Sequence, residues 1–152
     1  MPKQAENGKG PETKGDKMMP EEYGRLSADG IRKYLLPPAE DLKLEVLESA
    51  ASTSSLLRER AGAGKRWAEA VIAASQTAGR GKPGRSFYSP PDTGIYLSVL
   101  FYPEVSAARA PLFGTEAAVA VCEAIESVSG KKPWIKWVND ILIDGRKVCG
   151  IL

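Results

Sequence analysis

Gln76-Thr77-Ala78-Gly79-Arg80-Gly81-Lys82-Pro83-Gly84-Arg85 gathers three glycines and three cations, and no acid occurs from position 76 through 91. Apolar, strand-like sequence flanks it at residues 70–74 and 95–101, so the loop is rooted at both ends in a sheet. Glycine tolerates positive φ and lets a ligand approach the backbone closely. Successive N–H groups in such a loop form a concave anion site, and guanidinium forks match phosphate or carboxylate oxygens in pairs. The stretch reads as a cradle for an anionic small molecule. A solvated surface hairpin and an RNA-binding Arg-Gly segment are the alternatives that the loop alone leaves open.

A length of 152 residues fits one domain with a real core. The formal charge of +2 is too small for bulk electrostatics to imply nucleic acid or membrane, so the loop's charge is a local feature. Histidine is absent, which excludes a Ser-His-Asp triad, a His-ligated metal and imidazole acid–base chemistry. Cys122 and Cys149 lie far apart and lack the spacing of a metal or redox pair. No stretch has the apolar length of a membrane span and no signal-peptide core appears, so the expected setting is cytoplasmic, with no membrane partner.

Residues 1–19 contain no aliphatic branched or aromatic side chain and read as a disordered tail, with Met18 or Met19 as an alternative start. Residues 20–152 form the expected domain. Ser27 caps a short helix presenting Ile31, Tyr34 and Leu35, which Pro37-Pro38 stops. Leu42, Leu44 and Val46 alternate as a strand. Ser52 to Ser55 form a hydroxyl run where a second helix begins, and Gly62 and Gly64 mark its end. Ordinary capping is one reading of that run; binding a polar ligand group is the other.

A strand over 71–74 delivers the chain to the loop. After it, Ile95, Leu97, Val99 and Phe101 share one strand face and Tyr96, Ser98, Leu100 and Tyr102 the other, the pattern of a central strand. Pro111 opens the longest helix. Its expected packing stripe is Leu112, Phe113, Ala117, Ala120, Val121, Ala124, Ile125 and Val128, with Cys122 off centre and Gly130 at the end. Asp144-Gly145 between apolar runs predicts a two-residue hairpin. Leu152 falls in mid-strand, so the carboxyl end reads as cut.

The loop, the Ser-Thr helix start and the Lys/Asn/Asp-bearing hairpin together lack a nucleophile–base pair. Phosphoryl or nucleotidyl transfer suits them better, since it asks mainly for positioning and cations. The set Ser52-Thr53-Ser54, the loop 76–85, Lys136-Trp137-Val138-Asn139-Asp140 and Arg146-Lys147-Val148-Cys149-Gly150-Ile151-Leu152 resembles the biotin protein ligases, in order and spacing, over roughly residues 27–152.

The resemblance implies an α+β catalytic domain, a mixed and largely antiparallel sheet backed by helices, related to class II aminoacyl-tRNA synthetases. It implies a two-step reaction: biotin and MgATP give biotinyl-5′-adenylate, and the biotinyl group passes to a lysine of a biotin carboxyl carrier protein, an acetyl-CoA carboxylase subunit. Ser52, Thr53 and Ser54 match the residues on the ureido ring, and Gln76 the glutamine of the biotin site. The match at residues 79–85 is to the loop that closes over biotin and the adenylate phosphate. Arg80 and Gly81 fall on its biotin side, and Gly79, Lys82 and Arg85 toward the phosphates, with Lys82 near biotin as well.

Lys147 matches the lysine touching the reacting carboxylate and phosphate, and is the leading catalytic candidate with Asp140 and Arg80. Asn139 and Asp140 match the polar pair near the nucleotide phosphates, with Asp140 the candidate for Mg²⁺. Gly150 matches a close backbone approach to biotin. Four positions depart from the family pattern: Ser54 replaces asparagine, Lys82 an arginine, Val138 a proline and Cys149 an alanine.

The remaining strands of the catalytic sheet and the C-terminal β-barrel domain of the family are not expected within residues 20–152. DNA binding is not expected either, because residues 1–26 are too short for the winged-helix domain of repressor-type members. Lipoate or octanoyl transfer on the related fold, and a non-catalytic biotin- or nucleotide-binding remnant, are the competing functions.

Overall fold

The computed structural model describes residues 26–64 and 66–152; the expected tail and alternative start lie outside them. Among the described residues there are three α-helices, two short 3-10 turns and six strands, and the strands form two three-stranded sheets, one mixed and one antiparallel. The α+β expectation holds, and three of the four strand pairings are antiparallel. The strands divide between two sheets rather than forming one.

In the first sheet β1 (Lys43–Leu47) runs parallel to β2 (Glu69–Ala73), and β3 (Tyr96–Leu100) returns antiparallel on the other side of β2. Alternation along β2 sends Ala70 and Ile72 to one face, where they meet Leu44 and the partly buried Ala28, Ile31, Leu42 and Val46. Ala28 and Ile31 belong to α1 (Ala28–Arg32), whose Ser27 cap accepts from the Gly30 N–H at 3.1 Å. That helix ends at Arg32, a turn earlier than expected, so Tyr34 lies beyond it and is exposed.

The other face carries Glu69, Val71 and Ala73, and α2 (Thr53–Gly62) lies over it with Leu57 buried. Glu69 is fully buried and charge-paired: Arg60 of α2 donates to its Oε1, Lys43 lies 3.0 Å from the same oxygen, and Arg60 also holds Glu45 at 2.7 Å. Burial pushes the Glu69 carboxyl up, but the Lys43 hydrogen bond and the Arg60 charge outweigh it and hold the pKa below the ordinary glutamate range. Removing Arg60 leaves the buried Glu69 carboxylate with only the half-exposed Lys43 as its cation, so Arg60→Ala is expected to cost up to about 3 kcal/mol in a denaturant melt, the low end for breaking a buried pair. Because the folded pKa is depressed, this contribution is present above the unfolded glutamate pKa of about 4.3 and is lost as pH falls through the lower folded value. Thermal melts of the Arg60→Ala chain across that range should converge on the wild type at the acid end.

β3 is not the central strand that its two apolar faces suggest. Periodicity reports which faces can be buried, not strand order; here β2 occupies the middle, with all five residues buried. Leu97 and Val99 on β3 are 54% and 50% exposed. The Phe101 ring, just past β3, packs edge-to-face on Phe113 at 5.1 Å and ties this sheet to the long helix.

That helix, α3 (Ala110–Ser129), has Pro111 in its first turn. It ends at Gly130, whose φ of 64° and N–H to the Glu126 carbonyl (2.8 Å) make a left-handed cap. It packs on β4 (Trp134–Lys136) and β5 (Asp140–Ile143). The packed face is rotated from the expected stripe: Ala118 is fully buried and Val121, Cys122 and Ile125 are half-buried, while Ala117, Ala120, Ala124 and Val128 are exposed. Cys122 therefore sits on the packed face. β6 (Arg146–Gly150) closes the second sheet. Asp144 and Gly145 have φ of 50° and 75°, the two positive values that a tight hairpin of this hand requires. A bulge between Ile141 and Leu142 sets Leu142 opposite Lys147 and Ile141 opposite Cys149.

Candidate functional site

Parallel pairing of β1 and β2 brings the segments that follow both strands to one end of the sheet. Ala50 bridges Gln76 in parallel, the Thr77 N–H donates to Ala50 (3.0 Å) and the Ala78 N–H to Ala51 (2.8 Å). The helix start and the glycine loop are thereby stitched side by side. Ser52 caps α2, its Oγ accepting from the Ser55 N–H at 3.4 Å and lying 3.1 Å from Ser54 Oγ. The capping reading of the hydroxyl run thus holds. The Thr53 N–H is not spare, because it donates to Gln76 Oε1 at 2.9 Å.

Gln76 is the hub of this end. Its Oε1 also receives the Thr53 hydroxyl at 3.2 Å, and its Nε2 donates to the buried Ser89 Oγ at 3.0 Å. Ser89 Oγ donates to the Phe87 carbonyl at 3.1 Å, and Thr53 Oγ1 meets Ser98 Oγ of β3 at 2.8 Å. Gly79 closes the cluster. A Cβ there would lie 2.4 Å from the Phe87 carbonyl and 2.5 Å from Ser89 Oγ, so only hydrogen fits.

Beyond Gly79 the loop folds on itself. The Phe87 N–H donates to Gly79 (2.8 Å), Arg80 bridges Ser86, the Gly81 N–H donates to Arg85 (2.9 Å), and the Arg85 N–H to Lys82 (2.8 Å). Gly84, at φ 80°, makes the turn. Arg80, Lys82 and Arg85 are exposed, and among the described residues none of the three forms a salt bridge. Three uncommitted cations on a pinned backbone suit an incoming anion.

The second group is on the hairpin. Lys147 Nζ lies 2.7 Å from Asp140 Oδ1. The Lys147 hydrogen bond holds the Asp140 carboxyl below the usual range against a smaller opposing effect of burial, with the Lys147, Lys82 and Lys136 charges adding to the depression. Gly150, paired with Asp140 across the hairpin, leaves room for the lysine: a Cβ there would sit 2.9 Å from Lys147 Nζ and 3.0 Å from its Cε. Since a lysine tip swings aside cheaply, Gly150→Ala is expected to leave the melting temperature unchanged while moving the ammonium off Asp140. An Asp140 carboxyl titration followed by NMR that is unmoved in the Gly150→Ala chain would contradict this.

Asn139 is engaged with the chain end: its Nδ2 donates to the Ile151 carbonyl at 2.9 Å and its own carbonyl accepts the Ile151 N–H at 2.8 Å. Beside Lys147, burial pushes the Cys149 thiol up, which keeps it protonated. Among the described residues no three His, Cys, Asp or Glu side chains gather as a metal cluster. Asp140 alone offers one carboxylate, a donor set that suits Mg²⁺ arriving on a nucleotide rather than a resident ion.

Two residues of the cluster were not anticipated. Ser89 and Ser98 bond to partners 13 and 45 residues away. The one available signal was Ser98 itself, a hydroxyl inside an otherwise apolar strand, set opposite Val71 on the buried face of β2.

An amide–hydroxyl cluster beside a basic glycine loop, together with a lysine–carboxylate pair on the hairpin, has the chemistry to suit a small polar molecule that carries an anionic group. The profile of the Biotin/lipoate A/B protein ligase family matches residues 46–152. The bifunctional ligase/repressor BirA of Bacillus spizizenii is 36% identical over 129 residues, 85% of this chain and 40% of the relative. The biotin–[acetyl-CoA-carboxylase] ligase of Mycobacterium tuberculosis is 33% identical over 115 residues, 72% of this chain and 43% of the relative. Among solved structures, the Aquifex aeolicus biotin protein ligase in complex with biotin and ATP superposes with a TM-score of 0.64 at 30% identity, over 72% of this chain and 45% of that one. The chain belongs to the biotin/lipoate A/B protein ligase family. It spans about two fifths of the length of the curated relatives it matches.

Proposed function

We propose that the chain carries the biotin- and ATP-binding portion of a biotin–protein ligase. The observation that carries this reading is the seat of Lys147, an ammonium held by Asp140 and given room by Gly150, in a chain whose glycine loop carries three cations without a salt bridge among the described residues. In the proposed first step the biotin carboxylate attacks the α-phosphorus of ATP, the bond to the β-phosphate oxygen breaks, and pyrophosphate leaves. Two anions must meet, and Lys147 offsets their repulsion where charge develops. Lys82 and Arg85 hold phosphate oxygens, while Arg80 and the backbone at Gly79 and Gly81 close over the adenylate and keep water from hydrolysing it. Mg²⁺ enters as part of the nucleotide substrate, with Asp140 as its protein carboxylate and Asn139 beside the phosphates.

At the far end from the charge, Ser52, Thr53, Ser54 and Gln76 take the ureido ring. In the second step a neutral ε-amine of the carrier lysine attacks the anhydride carbonyl, an amide forms, and AMP leaves with its phosphate. Asp140 orients the amine and accepts its proton. The carrier is a biotin carboxyl carrier protein, a reading that the name of the Mycobacterium relative supports. Among the described residues no helix is long and apolar enough to cross a membrane, which agrees with the proposed cytoplasmic setting.

The test is the whole reading frame incubated with ATP, labelled biotin and a carrier domain. Labelled adenylate, followed by label on the carrier lysine, is expected. Absence of both with a folded chain would reject the proposal.

A further inference from the structure

The hydrogen bonds around Gln76 have only one self-consistent direction. A backbone N–H can only donate, so the bond from Thr53 N fixes the contacted atom of Gln76 as its carbonyl oxygen. That oxygen carries no proton, so the 3.2 Å contact from Thr53 Oγ1 spends the threonine's single hydroxyl proton. The 2.8 Å contact between Thr53 and Ser98 must then run from Ser98 to Thr53. On the other side Gln76 Nε2 donates to Ser89 Oγ, and Ser89 spends its proton on the Phe87 carbonyl. This assignment satisfies every contact in the chain at once, between a backbone N–H at one end and a backbone carbonyl at the other.

We propose that Ser98 and Ser89 are positioning residues that fix the polarity of the Thr53–Gln76 pair, so that this hydrogen-bonded cluster has Thr53 left as an acceptor and Gln76 left as a donor. Each hydroxyl proton in the relay is committed within the protein. What remains is one lone pair on Thr53 Oγ1 and one N–H on Gln76 Nε2. An acceptor beside a donor is complementary to a group bearing N–H next to C=O, which is an amide or urea, and it discriminates against a ligand with two acceptors there. The absence of a side chain at Gly79, whose Cβ would lie 3.1 Å from Gln76 Nε2, keeps the loop backbone against this amide. Neither serine needs to touch the ligand; each acts through its neighbour.

The inference takes its ligand, the urea of biotin, from the function proposed above, but its geometry stands in the ligand-free protein. Ser98→Thr keeps the hydroxyl, and Ser98→Val has the same shape without it. Loss of one such hydrogen bond is worth about tenfold in affinity. Biotin binding by calorimetry is therefore expected to weaken about tenfold in Ser98→Val and to stay within about twofold in Ser98→Thr, with ATP affinity and melting temperature the same in both. In ligand-free protein, NMR exchange of the Gln76 side-chain amide protons is expected to be slow and to accelerate in Ser89→Ala. Equal biotin affinity in the Val and Thr chains, or Gln76 amide exchange unmoved by Ser89→Ala, would overturn the proposal. A wild-type chain that binds no biotin would reject the ligand reading alone, because the exchange comparison decides the polarity without any ligand.

Discussion

In the proposed reaction, Lys147→Ala is expected to lower the rate of biotinyl-adenylate formation by on the order of a hundredfold to a thousandfold, the effect of deleting one charge-stabilising donor at a reacting centre. The side chain is 45% exposed and, among the described residues, its tip is held by the salt bridge with Asp140, so the fold should tolerate the change. Stability and activity therefore separate cleanly: melting temperature within a degree or two, adenylate formation slowed. Lys147→Arg is the informative companion. It keeps the charge but replaces a compact ammonium with a planar fork, and the space beside the Gly150 α-carbon fits the smaller head. Partial recovery is expected. Full activity of the alanine chain in a single-turnover assay would remove Lys147 from the mechanism.

Gly79→Ala is expected to have the second-largest effect, and through a different cause. The added methyl would meet the Phe87 carbonyl at 2.4 Å and Ser89 Oγ at 2.5 Å, and one of these atoms is backbone. The strand-like return of the loop must shift, breaking the 2.8 Å bond from the Phe87 N–H to the Gly79 carbonyl and the Ser89 contact to Gln76. Overpacking of this kind costs about 1–3 kcal/mol of stability. The larger consequence falls on the ligand, because Gln76 and the loop cations lose their common frame. Biotin affinity should fall by more than about tenfold, the worth of roughly one hydrogen-bonded contact. Gly84→Ala is the control. Open space surrounds Gly84, so only the strain of its 80° φ is at stake and biotin binding should change far less. Calorimetric titration of both chains with biotin checks the order, and equal losses in the two would contradict it.

Local signals in the sequence predicted local structure well. Ser27 and Ser52 cap the helices expected of them, Pro111 and Gly130 bound the long helix, and Asp144-Gly145 makes the hairpin turn. Each of these is decided within four residues by side-chain or backbone preference. Strand order is a different kind of fact. β3 carries apolar residues on both faces and still lies outermost, because the partner that claims the centre, β2, is fixed by two pairings distant in sequence. The helical stripe of α3 failed for a related reason. Alanine-rich helices present small residues all round, so periodicity leaves the packed face open by a turn's fraction, and the neighbours β4 and β5 decide it.

The candidate site divides along the same line. Arg80, Lys82, Arg85, Asp140 and Lys147 declare themselves by charge in apolar or glycine-rich company. Gln76 was legible as a candidate residue but not as the hub of a hydrogen-bonded cluster, since its partners Thr53 and Ser89 lie 23 and 13 residues away. Ser89 and Ser98 carry no charge and belong to no motif, and only the tertiary structure brings them to the amide.

Lysine-assisted attack of the biotin carboxylate on ATP is the central proposed step, and biotin-dependent exchange of labelled pyrophosphate into ATP measures it in both directions. With the whole reading frame, exchange is predicted with biotin, absent with lipoate, and lost in Lys147→Ala. Exchange supported equally by lipoate, or independent of Lys147, would contradict it.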